Sequence, residues 1–129
     1  MPNYSYDHLH LVSPDPENTA RFYQRMFGAR LIASRQLADG RTNVELDLNG
    51  SMVLVINPKT QPEASPAPAE AGYGLGHFGI LTDDLEAAVA DLKAKGVEFT
   101  EEIRMVRPGV RVSFLLGPDK VLIELLERR

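Results

Sequence analysis

A chain of 129 residues, 43% of them hydrophobic, can bury the core of one domain and is too short for two unrelated ones. Its 18 acidic and 14 basic residues leave a net charge of −4, which offers no basic field for holding nucleic acid. Cysteine is absent, which excludes disulfides, thiolate nucleophiles and cysteine-ligated zinc and fits a cytoplasmic location; any metal must be held by nitrogen and oxygen. Met1 to Asp7 contains no basic segment followed by an apolar one, and the apolar runs elsewhere are only a few residues long, so no membrane partner is expected.

In chain order, Tyr6 to Val12 reads as a short strand that Ser13-Pro14-Asp15-Pro16 stops. The same four residues open a helix from about Glu17 to Phe27, with Ala20, Phe22, Tyr23, Met26 and Phe27 at helical spacing and Gly28 as its stop. Three strands are expected next, at about Ala29 to Gln36, Thr42 to Leu48 and Ser51 to Ile56, turned at Asp39-Gly40 and Asn49-Gly50. From Asn57 to Gly76 the composition shifts to Pro, Ala, Glu and Gly, the signature of a linker or mobile loop. Gly76 to Leu81 then reads as a strand, and Asp84 to Lys95 as a helix capped by Asp83 and ended by Gly96. Val97 to Glu102, Val110 to Leu116 and Val121 to Leu126 supply three further strands, the last hairpin turning at Gly117-Pro118-Asp119.

The order β, α, β, β, β therefore occurs twice. A duplication should carry marker residues across at a nearly constant offset. His8 recurs as His77 and Asp15 as Asp84, both 69 residues on, Gly28 recurs as Gly96 after 68, and Leu54 falls where Glu124 stands after 70. Two of the three histidines in the chain thus occupy matching strand positions.

The segments Asp7 to Asp15, Arg21 to Gly28, Gly76 to Ile80 and Gly117 to Glu124 carry a resemblance over nearly the whole chain. The sequence resembles the vicinal oxygen chelate superfamily, which includes glyoxalase I, extradiol dioxygenases, methylmalonyl-CoA epimerase and the fosfomycin and bleomycin resistance proteins. The resemblance implies an α+β fold of two tandem βαβββ modules forming a half-open, barrel-like cavity. A single domain over 1–129 is expected, with modules at about 4–58 and 76–129 and a linker at about 59–75. In such proteins the first and last strands of each module offer metal ligands, which maps to His8, Leu54, His77 and Glu124. Leucine cannot bind a metal, so the resemblance implies three protein ligands, His8, His77 and Glu124, and one divalent ion. Two imidazoles and one carboxylate suit Fe(II), although Mn(II), Ni(II), Co(II) or Zn(II) accept the same donors.

That ligand set is similar to the one in extradiol dioxygenases and favours ring cleavage of a catechol-like substrate slightly. A glyoxalase-like lyase or an epimerase or isomerase is the first alternative, weakened by Leu54 where those enzymes carry Glu or Gln. A ligand-sequestering protein of the bleomycin-resistance kind, without turnover, is the second. Extradiol enzymes usually also have a His and a Tyr where this chain has Leu54 and Phe114. His10, two residues beyond His8 and so on the same strand face, could take over proton transfer or orient a ligand. Arg111 could meet a substrate carboxylate or phenolate, although a structural pair, with Glu45 or Asp47, is the default reading. Tyr73, among Gly72, Gly74 and Gly76, could sit on a loop that closes over a substrate. Leu54, Tyr73, Arg111 and Phe114 are therefore the candidate substrate contacts. Two half-open sheets leave edges, so a homodimer acting on a small molecule is expected.

Overall fold

The computed structural model describes residues 3, 5–57, 73 and 75–129, and backbone alone at 51–56. The linker expected at about 59–75 falls outside the described residues apart from 73 and 75. The chain divides into two compact units, Met1–Glu63 and Ala64–Arg129. The first holds β1 (His8–Val12), α1 (Pro16–Phe27), β2 (Arg30–Gln36), β3 (Thr42–Leu48) and β4 (Ser51–Ile56). The second holds β5 (Phe78–Leu81), α2 (Leu85–Ala94), β6 (Phe99–Arg107), β7 (Val110–Leu116) and β8 (Leu122–Arg128). The sheet orders are β1-β4-β3-β2 and β5-β8-β7-β6, so the two units share one topology. The fold is α+β, as expected, and no helix among the described residues is long and apolar enough to cross a membrane.

Local chemistry sets the helix ends. Asp15 caps α1 by accepting from the Asn18 N–H, Pro16 occupies the first turn, and Gly28 closes the helix at a φ of 70°, where a Cβ would be strained. The buried face of α1 is Pro16, Thr19, Ala20 and Tyr23, set against Val44 and Leu46 of β3. Met26 and Phe27, expected on that face, are only half-buried. In the second unit α2 buries Leu85, Val89 and Leu92, one stripe of the helix, over Leu115, Ile123 and Leu125. Its cap is Asp84, accepting from the Ala87 N–H, not Asp83 as the sequence suggested. Asn49 and Gly50 both adopt positive φ, 54° and 101°, the backbone that a two-residue hairpin turn requires.

Strand β8 extends to Arg128, two residues beyond the expected end, and the extension brings in Glu127. This carboxylate is 2% exposed and fully engaged. Its Oε1 accepts from the Leu85 N–H at 3.1 Å and from Arg129 at 3.2 Å, and its Oε2 accepts two bonds from Arg111 at 3.1 and 2.8 Å. The helix start, the sheet and the chain end are thereby fastened to one buried charge. The Arg111 guanidinium, then the Leu85 N–H, hold the Glu127 carboxyl below its ordinary 4.5, at about 2. A depressed carboxylate lends stability that is complete above about pH 4.5 and is lost as the pH falls through about 2. Glu127→Gln should therefore lower the unfolding midpoint at neutral pH and flatten the acid limb of stability between those two values, measured by urea denaturation across a pH series.

Candidate metal centre

In a parallel pair the register fixes which side chains share a row. In the second unit β5 runs parallel to β8 with Gly79 opposite Glu124, and β7 places Phe114 opposite Glu124 from the other side. Strand alternation then divides β8 in two. Ile123, Leu125 and Glu127 lie under α2, while Leu122, Glu124 and Leu126 lie on the open face with Val112, Phe114 and Leu116. His77, just before β5, completes that face. Its Nε2 stands 3.6 Å from Glu124 Oε2, and its ring meets Phe114 edge to face, with 5.1 Å between centroids. The side chains of His77 and Glu124 are 32% and 21% exposed, so the pair is half-buried above an apolar floor.

Gly79 makes room for this arrangement. A Cβ there would stand 3.5 Å from Glu124 Oε1 and 3.2 Å from Leu126 Cδ2, so a branched side chain would crowd the carboxylate. The sequence reading passed over Gly79; the signal available was a glycine inside a strand, one residue beyond Phe78. Donors held about 2.1 Å from a divalent ion, at angles between square and tetrahedral, are about 3.0–3.4 Å apart. The 3.6 Å between His77 Nε2 and Glu124 Oε2 is a few tenths wider, and an imidazole with a carboxylate suits Mn, Fe, Co, Ni or Zn. The pair therefore fits a divalent metal.

The first unit repeats the frame with other side chains. His10 faces Leu54 in the parallel register, and Glu45 faces Leu54 from β3, where the second unit has Gly79, Glu124 and Phe114. The register thus places Leu54 at the position of Glu124, although its side chain is outside those described. His8 opens β1, and its Nδ1–H donates to Asp7 Oδ2 at 2.7 Å. The His8 and His10 rings lie 5.6 Å apart, nearly perpendicular, on one face. Burial, followed by the charges of His8 and Arg41, lowers the pKa of His10, which favours a neutral ring at neutral pH. Glu45, 19% exposed at its side chain, belongs to the same face because its neighbours Val44 and Leu46 are buried toward α1. It was missed as a site residue because an acidic residue in a strand looks the same from either side until the register is known.

Arg111 lies on the helix-covered face, the other side of the sheet from Glu124, and is held in a structural pairing by Glu127 and by Glu86 at 2.7 Å. Within the first unit Glu45 and Asp47 pair with Arg35 and Arg30. Tyr73 is fully exposed. Within neither unit do three His, Asp or Glu side chains converge among the described residues. What the second unit brings together is a pair.

Residues 5–125 match the Glyoxalase/Bleomycin resistance protein/Dioxygenase superfamily, and the chain belongs to it. An uncharacterized Bacillus subtilis protein, YwkD, is 32% identical, with 96% of this chain and 97% of that protein covered. Human mitochondrial methylmalonyl-CoA epimerase is 30% identical over 92% of this chain and 71% of the enzyme. The lactoylglutathione lyase of Schizosaccharomyces pombe is 28% identical over 98% of this chain, which spans only 46% of that enzyme's length. Among solved structures, a variant of the fosfomycin resistance protein FosX from Listeria monocytogenes, in complex with Mn(II) and a dihydroxypropylphosphonic acid, shares the fold at 21% identity. Its TM-score is 0.72, with 96% of this chain and 92% of that one covered.

Phe114 is 6% exposed and supports both the His77 ring and the apolar cluster around Val112 and Leu122. Phe114→Ala should cost about 3 kcal/mol of stability by urea unfolding, whereas Phe114→Leu should cost under about 1.5 kcal/mol.

Proposed function

We propose that this protein is a metal-dependent enzyme that holds one divalent ion with His8, His77 and Glu124, and acts on a small organic substrate through two neighbouring oxygens. The observation that carries the proposal is the half-buried His77–Glu124 pair at 3.6 Å, on the strand positions that the duplicated register makes equivalent to His8 and Leu54. A metal bound there would supply Lewis acidity, stabilising an enolate or similar anion as charge develops on the chelated oxygens. The protein's own part is orientation and proton movement. The apolar floor of Val112, Phe114 and Leu122 favours an uncharged, hydrophobic portion of the substrate beside the pair. His10 and Glu45, in one row on the open face of the first unit, are the groups suited to accept or return a proton.

Proton transfer beside a chelated carbonyl, as an epimerase, isomerase or lyase performs it, is the leading reading, supported by the likeness to an epimerase and to a lactoylglutathione lyase. Leu54 favours a second reading. Without a fourth protein ligand, a two-histidine, one-carboxylate set with Fe(II) would leave room for both oxygen and a catechol, as in an extradiol dioxygenase. Exposed Leu31 and Ile32 on edge strand β2, and Met105 and Val106 on edge strand β6, support a homodimer.

Mass-spectrometric metal analysis of anaerobically purified wild type should find close to one divalent ion per chain, and His77→Ala and Glu124→Ala should lose most of it. Solvent deuterium incorporation into acyl-CoA thioesters and hemithioacetals would support proton transfer, and oxygen uptake with catechols would support the dioxygenase. Wild type that takes up no metal, even after reconstitution, and binds a ligand without turnover would be a sequestering protein instead.

A further inference from the structure

We propose that Asp7 is a positioning residue that locks His8 in the tautomer needed to bind a metal through Nε2; the inference rests on His8 being a ligand, as set out under Proposed function. Adjacent residues within a strand point to opposite faces, so an i, i+1 side-chain pair cannot form inside one. Strand β1 begins at His8, which leaves Asp7 outside the ladder and able to turn its carboxylate back to the ring. The resulting bond is short, 2.7 Å from His8 Nδ1 to Asp7 Oδ2. A carboxylate only accepts, so the proton of the neutral ring must sit on Nδ1, and the lone pair is left on Nε2. Free neutral imidazole side chains favour the opposite Nε2–H form, so the bond reverses the ordinary preference.

Position 76, which matches Asp7 in the duplicated frame, is glycine, and His77 has Glu124 at 3.6 Å from its Nε2 instead. In His8 the carboxylate of Asp7 meets Nδ1, which leaves Nε2 to a metal. A ligating histidine whose second nitrogen is held by a carboxylate is oriented and made more basic, an effect worth about 10- to 100-fold in metal affinity. An exposed ion pair alone would contribute almost nothing to stability, and Asp7 is 81% exposed at its side chain, so its removal should spare the fold.

The test compares wild type, Asp7→Ala, Asp7→Asn and His8→Ala. Nitrogen-15 NMR of histidine-labelled, metal-free protein, recorded across a pH series, reads the His8 tautomer directly. Mn(II) binding alone is titrated by electron paramagnetic resonance. Wild type should show Nδ1–H at His8; Asp7→Ala should move to Nε2–H and bind Mn(II) about 10- to 100-fold more weakly. Asp7→Asn, whose amide oxygen still accepts, should fall between them, all with unchanged unfolding midpoints. If His8→Ala loses Mn(II) while Asp7→Ala keeps both the wild-type tautomer and affinity, the role of Asp7 is wrong and the metal site stands. If wild type itself takes up no Mn(II), the metal site fails and the role of Asp7 fails with it.

Discussion

In each unit the first strand lies parallel to the last, and this pairing is the constraint on which the remaining structure depends. Parallel neighbours cannot be joined by a tight turn, so the intervening helix and two strands must carry the chain out and back. The return fixes a register in which residue 10 faces residue 54 and residue 79 faces residue 124. One step earlier on the same face stand His8 and His77. The frame thus sets a histidine beside the last strand twice, and the identity of one residue on that strand decides whether a carboxylate awaits it. In the second unit it is Glu124, 3.6 Å from His77; in the first the same place is Leu54.

Strand β8 shows how alternation separates chemistry from support. Glu124 and Glu127 are three residues apart and therefore face opposite sides of the sheet. Glu127, under α2, is surrounded by Arg111, Arg129 and a backbone N–H, and its low pKa follows from those donors. Glu124 meets an imidazole on an apolar floor instead. The more deeply buried of the two carboxylates is thus the structural one.

The two units have diverged at corresponding places. His10, Leu54 and Glu45 in the first stand against Gly79, Glu124 and Phe114 in the second, and Asp7 stands against Gly76. The second unit contributes a carboxylate, a clearance made by glycine and an aromatic wall. The first contributes two histidines and an acidic side chain on its open face. Such a division gives a duplicated scaffold unlike halves while the backbone register stays the same.

Much of this was present in the sequence before any coordinates. The offset near 69 residues, the hairpin pairs Asn49-Gly50 and Asp39-Gly40 and the helix stops at Gly28 and Gly96 determined two βαβββ units, because turn chemistry and periodicity act over a few residues. His8 and His77 stood out as markers carried from one copy to the other, and Glu124 through the family resemblance of its strand. The sequence could not say which face of a strand is covered. That is why the sequence leaves Arg111 between a substrate contact and a structural pair, and why it assigns no site role to Glu127, Glu45 or Gly79. Their roles follow from cross-strand register and from where each helix lies, which depend on contacts between residues distant along the chain. Asp7 belongs to both levels: the sequence sets it next to His8, and only the start of β1 at His8 frees it to reach the ring.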